Sequence, residues 1–176
     1  MMGEYQFTLV ISGDLEADAT IDALFEAGCD DATFGTVDHV GYGDFIREAP
    51  GFGEAVRSAI RQVESVPDLR VIRIEPDDLV TMTEIAERLG RSRESVRLLV
   101  QGTRGPGGFP APVSHLKARS RLWRWSEVAA WAEKVSTNAE EHRESLFIAA
   151  VNAALTLRDS AMALMPEERK LVESLM

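Results

Sequence analysis

Residues 80–101 read VTMTEIAERLGRSRESVRLLVQ, and this stretch predicts two short helices joined by a tight turn. Ile85, Ala86 and Leu89 recur at helical spacing and give the first helix one apolar face. Gly90 is the expected stop, because glycine takes a left-handed conformation without a steric penalty. Val96 of the second helix, with Leu99 three residues later, would pack back on the first. The pattern therefore predicts a helix-turn-helix.

The second helix presents a polar outward face. Ser92 is its expected N-cap, and the face carries Arg93, Glu94, Arg97 and Gln101. Arginine pairs with guanine edges or phosphates, and glutamine pairs with adenine, so such a helix suits a DNA major groove. The alternative is an ordinary helical hairpin with a solvated charged face.

A glycine- and proline-rich loop and a predicted hairpin follow. Residues 102–113 cannot be helical, and residues 113–116 and 120–125 read as two strands around a turn at 117–120. A hairpin beside a recognition helix is a wing, whose cations touch phosphates or a minor groove. The basic residues expected to contact DNA in this region are Arg104, Lys117, Arg119, Arg121 and Arg124.

A third helix closes the predicted unit. Ser126 is its expected N-cap, Trp125 takes the preceding position of a hydrophobic staple, and Val128, Ala129 and Trp131 supply its apolar side.

The segments TEIAERLGRSRESVRLLV, FPAPV and RLWRWSEVAAW together resemble the winged helix-turn-helix of the MerR-like group, in its phage excisionase and AlpA-like regulator branch. The resemblance covers about residues 80–134. It implies a Phe-Pro-x-Pro loop before the wing and an arginine-tryptophan strand leading into the last helix. It also implies DNA binding.

The charge distribution agrees with that expectation. The 176-residue chain has a net charge of −10, which by itself disfavours a polyanionic partner. Residues 1–79 hold 5 Arg and 17 Asp and Glu, whereas residues 80–135 hold 10 Lys and Arg and 5 Glu; residues 136–176 carry −3. The positive charge is thus concentrated in the segment with the helix-turn-helix pattern.

The N-terminal segment predicts a small α+β domain. Strands are expected at 5–11, 32–37, 42–46 and 69–74, and helices at 18–27 and 52–63. This βαββαβ order matches a ferredoxin-like sandwich. Such a domain could sense a small ligand, dimerise, bind a protein partner or act as an acidic spacer.

The C-terminal segment predicts a helical tail. A long helix from about Asn138 to Ala163 has a broad apolar stripe, and Pro166 begins a shorter helix that ends near Leu175. The stripe could pack within its own chain or pair with a second copy. We favour a homodimer, because winged regulators commonly read two-fold sites. The predicted domains are therefore 1–78, 79–135 and 136–176.

Other features restrict the class of protein. The single cysteine, Cys29, excludes an intramolecular disulfide and a four-cysteine zinc site. The three histidines are scattered and no phosphate-binding loop is present, so we expect neither an enzyme nor a cofactor or metal. No signal peptide or membrane span is expected, which favours a cytoplasmic protein.

The sequence thus predicts a cytoplasmic, dimeric, sequence-specific transcriptional regulator that binds double-stranded DNA. One alternative is an excisionase-like architectural protein that bends DNA. The other is an antitoxin-like or adaptor protein whose acidic N-terminal domain binds a protein partner.

Overall fold

The structure is a computed structural model that describes residues 2–114, 121–133 and 139–175. It is a mixed α+β protein, as predicted, and its described residues form seven helices, a four-stranded sheet and a two-stranded sheet. The chain divides into two compact units. Unit 1 comprises Met1–Pro76 and Ala150–Met176, and unit 2 comprises Asp77–Ala149.

Unit 1 is built on an antiparallel sheet. Its strands are β1 (Gly3–Ser12), β2 (Ala32–Val37), β3 (Val40–Ala49) and β4 (Arg70–Glu75), in the order β2-β3-β1-β4. The turn between β2 and β3 consists of Asp38 and His39, both with positive φ, as a type I′ hairpin turn requires. The strand, helix, strand, strand, helix, strand order predicted from the sequence is present.

Two helices, α1 (Asp18–Glu26) and α2 (Phe52–Val63), supply the rest of this core. Phe7 of β1 stacks on Phe45 of β3 with 5.3 Å between ring centroids, and it meets the edge of Phe52 of α2 at 6.0 Å. Phe7, Leu9 and Ile11 of β1 share one face of the sheet, because successive side chains of a strand point to opposite faces, and all three are buried.

A charged side chain lies inside unit 1. Arg47 of β3 is buried, and each of its five N–H donors has a partner. It binds Asp31 through Nε at 2.6 Å and through Nη2 at 2.7 Å, and it also reaches the Gly28 carbonyl, Ser58 and Gln62. The Arg47 network ties β3 to α2 and to the segment that precedes β2.

The C-terminal residues of unit 1 cover the outer edge of β4. The long helix α6 (Ala139–Ala163) crosses the boundary between the units, and α7 (Pro166–Glu173) follows it. The Asn152 amide accepts the Ile74 N–H at 2.7 Å and donates to the Ile74 carbonyl at 2.9 Å. Asn152 therefore makes the two bonds that a neighbouring strand would make.

Arg158 extends this contact along β4. Its guanidinium donates to the Val71 carbonyl and to Glu64, each at 2.8 Å, while Glu64 accepts the Val71 N–H at 3.1 Å. Residues 150–176 thus belong to the same unit as the sheet. Packing of the predicted tail within its own chain, which the sequence analysis left open beside pairing with a second copy, is therefore present.

Unit 2 contains the two short helices that the sequence predicted at residues 80–101. Its elements are β5 (Leu79–Thr81), α3 (Met82–Arg88), α4 (Arg93–Val100), β6 (Leu122–Arg124) and α5 (Trp125–Glu133), together with the start of α6. β5 and β6 pair antiparallel, with Val80 opposite Trp123. One buried core joins β5, α3, α4, β6 and α5; its residues are Val80, Ile85, Ala86, Val96, Trp123, Trp125, Val128 and Ala129.

Two local predictions were wrong. Trp125 was expected to end a strand and Ser126 to cap the next helix, but α5 begins at Trp125. The cap comes from Asp78, whose carboxylate accepts the Ser126 N–H at 2.7 Å and whose carbonyl accepts the Trp125 N–H at 2.6 Å. The strand β5, which the sequence did not predict, places Asp78 beside β6.

Candidate nucleic-acid interface

Capping interactions fix the start of α3. The Thr81 hydroxyl accepts the Glu84 N–H at 3.3 Å, and the Glu84 carboxylate accepts the Thr81 N–H at 2.7 Å. This reciprocal capping box satisfies two backbone donors that a helix start leaves free. The Thr81 bonds lower the pKa of Glu84, since they favour its charged form.

Backbone hydrogen bonds also fix the turn between α3 and α4. Gly90 has φ +60°, and the Arg91 N–H bonds the Ala86 carbonyl at 2.8 Å while the Gly90 N–H bonds the Glu87 carbonyl at 3.0 Å. These are the two bonds of a Schellman motif. The Ser92 hydroxyl then accepts the Ser95 N–H at 3.2 Å, so α4 begins at the predicted cap.

The core determines which side of α4 faces solvent. Val96 and Leu99 are buried, and Val96 belongs to the same core cluster as Ile85 and Ala86 of α3. The opposite side is exposed, and it carries the predicted DNA-contacting residues Ser92, Arg93, Glu94, Arg97 and Gln101. Neither Arg93 nor Arg97 is sealed inside the fold.

Three residues on this exposed face form one hydrogen-bonded chain. Arg97 donates to Glu94 through Nε at 2.8 Å and also through Nη2, and its Nη1 donates to Gln101 at 2.9 Å. The Arg97 bonds lower the pKa of Glu94, and the same contact raises the pKa of Arg97. Glu94 is therefore an anion at neutral pH, and three of the five Arg97 donors are engaged within the protein.

The loop after α4 is held by aromatic contacts. Thr103 closes α4 by donating its N–H to the Leu98 carbonyl at 3.1 Å. Farther along, the Trp131 Nε1–H donates to the Gly107 carbonyl at 2.9 Å, and the Phe109 ring lies 4.9 Å from the Trp131 ring. Arg104 is exposed between these anchors, as a contact with DNA requires.

The predicted wing lies partly outside the described residues. Ser114 forms an antiparallel bridge with Leu122. Lys117 and Arg119 fall between these positions and lie outside the described residues. Arg121 is exposed.

Arg124, the other predicted contact on the wing, is half-exposed and already has a protein partner. Its Nη1 lies 3.3 Å from the buried carboxylate of Asp78. Arg124 therefore helps to anchor β6 and α5 through Asp78, in addition to its predicted contact with DNA.

Sequence reasoning missed one basic residue of this surface. Arg91 is exposed in the turn that leads into α4, directly before Ser92. The sequence could have predicted this residue from its position directly after Gly90, since the N-terminal end of a recognition helix lies near phosphates.

Another finding concerns membranes. By length and composition alone, the segment Arg143–Ala163 of α6 is long and apolar enough to cross a bilayer. This is weak support for a membrane span, because Asn152 and Arg158 within that segment bind the β4 strand.

Groups of three or more His, Cys, Asp or Glu side chains suited to a metal ion are absent among the described residues. In comparisons with protein families, with curated proteins and with solved structures, none matches this chain.

Proposed function

We propose that the protein is a sequence-specific DNA-binding transcriptional regulator that reads DNA with a winged helix-turn-helix of the MerR-like type and acts as a dimer in the cytoplasm. The observation that carries the proposal is the exposed face of α4. A short helix, fixed by a glycine turn and a buried core, presents Arg93, Arg97 and Gln101 on one side.

The surrounding charge supports this function. Residues 80–135 have a net charge of +5, against −12 for residues 1–79. Exposed Arg91, Arg104 and Arg121 add cations to the residues on α4. Because phosphate contacts supply affinity and base contacts supply sequence preference, we assign α4 to the bases and Arg121 to the backbone, together with Lys117 and Arg119.

The N-terminal sheet supports a finer assignment within the proposal. The order β2-β3-β1-β4 with two helices is the topology expected of a ferredoxin-like domain. We propose that unit 1 is the sensing or interaction part of the regulator.

The decisive experiment measures DNA binding by fluorescence anisotropy at several salt concentrations. Arg97→Ala should reduce discrimination between the preferred site and other duplexes by roughly 5- to 150-fold. Arg121→Ala should weaken all duplexes similarly and reduce the salt slope by about one contact. A wild-type protein that binds no duplex at low salt would contradict the proposal.

One observation favours a second candidate, a protein-binding function of unit 1. The open face of the sheet exposes apolar side chains next to carboxylates: Val37, Val40 and Ile46, with Glu4, Asp44 and Glu48. A basic partner would suit this face. Recovery of a stoichiometric basic protein with the wild type, and its loss with Ile46→Ser, would support the adaptor function.

A further inference from the structure

Glu94 is an unusual residue for the surface on which it lies. Its neighbours on the exposed side of the α3–α4 hairpin include Arg91, Arg93 and Arg97, and all of them are exposed. A carboxylate there repels phosphates and so lowers affinity for any nucleic acid. Its effect on DNA of random sequence is unfavourable.

The geometry points to Glu94 as a specificity-determining residue that acts together with Arg97 on one G·C base pair. This inference rests on the proposed function. The two side chains are already joined in a bidentate contact, so they present a carboxylate acceptor directly beside guanidinium donors.

The donor count leaves Arg97 able to bind a base. Glu94 engages Nε and one Nη2 hydrogen, and Gln101 engages one Nη1 hydrogen. Two hydrogens remain, one on each Nη. Guanine offers two acceptors, N7 and O6, which a pair of arginine donors fits. Glu94 therefore orients the guanidinium without using all of its donors.

The order of groups on a G·C pair complements this arrangement. Across the major groove the pair shows two guanine acceptors and then the N4 amino donor of cytosine. Two Arg97 donors and the Glu94 acceptor match that order. An A·T pair presents a donor, the adenine N6 amino group, between two acceptors. An Arg97 N–H would then face an adenine N–H, and the two donors could not form a hydrogen bond.

Glu94 thus has opposite effects on correct and incorrect DNA. At the correct site its carboxylate accepts from cytosine, which compensates for its repulsion of phosphates. Elsewhere the repulsion is uncompensated. Specificity is the difference between the affinities for correct and incorrect DNA. A side chain that weakens binding to incorrect DNA therefore increases specificity.

The test uses the full chain and a duplex selected from a randomised pool with the wild type. Each base pair of that duplex is then changed to the other three, and affinities are measured for the wild type and for Glu94→Gln. Glu87→Gln is the matched control, because it makes the same change of charge at an exposed position of α3. Arg97→Lys, which lacks a two-donor fork, is the third variant.

We expect one position at which the wild type prefers G·C by roughly 5- to 150-fold. Glu94→Gln should reduce this preference to a few-fold while binding unrelated duplexes more tightly. Arg97→Lys should also lose it. Glu87→Gln should keep the preference at that position.

Two results would overturn the inference in distinguishable ways. If the wild type selects a site and Glu94→Gln keeps the same preference at every position, the role of Glu94 is wrong and DNA binding stands. If the wild type binds no DNA, the proposed function itself is wrong and the inference is lost with it. Circular dichroism of the variants checks that each remains folded.

Discussion

Arg47 shows how unit 1 accommodates a buried cation. The burial of a charged group is costly unless it is paired and hydrogen-bonded, and all five donors of Arg47 meet acceptors. Nearby, burial raises the pKa of the Cys29 thiol, with the Arg47 charge opposing that shift. The arginine is therefore a structural residue of the core.

Replacement of Arg47 should destabilise the protein strongly. Arg47→Met leaves the Asp31 carboxylate and the Gln62 and Gly28 acceptors without their donor, and we expect a loss of about 3–5 kcal/mol in the free energy of unfolding. Urea unfolding followed by circular dichroism measures it. Arg57→Met, at an exposed arginine paired with Glu54, is the control. Equal stability of the two variants would contradict the structural role of Arg47.

Asp78 illustrates why sequence reading fails at particular residues. Ser126 precedes an apolar helical pattern and is a favoured capping residue, so local rules select it. The carboxylate that satisfies its N–H comes from a residue 48 positions earlier, brought there by the β5–β6 pairing. A tertiary contact of this kind leaves no local signature.

At the scale of elements, α3 carries a titratable cap. The pKa of Glu84 is lowered because its carboxylate accepts the Thr81 N–H. A group with a lowered folded-state pKa contributes stability above its unfolded pKa, and that contribution is lost as pH falls through the folded pKa. The carboxylate is exposed, so its contribution is small.

We expect Glu84→Gln to be less stable than the wild type at pH 7 by under about 1 kcal/mol, after allowance for solvent screening. The difference should shrink as pH falls below the ordinary glutamate value of 4.5. Thermal unfolding at pH 7 and pH 3 measures it, with Glu87→Gln as the control on the same helix. A difference that grows on acidification would refute this role for the cap.

The contact between α6 and β4 gives a second prediction for an element. Asn152→Leu keeps the size of the side chain but leaves the Ile74 N–H and carbonyl without partners, and we expect a loss of roughly 1–3 kcal/mol. Hydrogen exchange of the Ile74 amide should accelerate. Thr156→Ala, at an exposed position of α6, is the control. Unchanged protection of Ile74 in the leucine variant would show that another group covers the strand.

The elements differ in how far the sequence predicted them. The strand β2 and the helices α2, α3 and α4 were predicted because their apolar spacing or turn residues are strong local signals. β5 has only three residues, too few to show alternation. The placement of α6 on β4 involves Asn152 and Arg158, whose hydrogen-bond partners lie 78 and 87 residues away. The exposed face of α4 was predicted, and the Glu94–Arg97 pair, at i,i+3 spacing on one helix, is also a local signal, although the sequence analysis did not use it.

At the scale of the whole molecule, the proposed dimer needs an exposed apolar surface that can form the interface between two copies. α7 has no buried residue, and Leu171 and Leu175 are 69% and 85% exposed. An eight-residue helix is only marginally stable without tertiary contacts, so these leucines are our candidates for the dimer interface. A homodimer would place two α4 helices on a two-fold DNA site.

We expect the double variant Leu171→Glu, Leu175→Glu to be monomeric under conditions in which the wild type is a dimer. Size-exclusion chromatography with light scattering measures the mass. Ala19→Glu, at an exposed position of α1, should leave it unchanged. A wild type that is monomeric at all concentrations would remove the dimer from the proposal.

We expect the covering of β4 by Asn152 to matter during biosynthesis as well. Ile74 leaves the ribosome 78 residues before Asn152. At a synthesis rate of about 5–20 residues per second, the edge of β4 is therefore without Asn152 for roughly 4–16 s. Throughout that interval the strand can recruit foreign chains. Slowed translation between these codons should therefore increase dependence on chaperones.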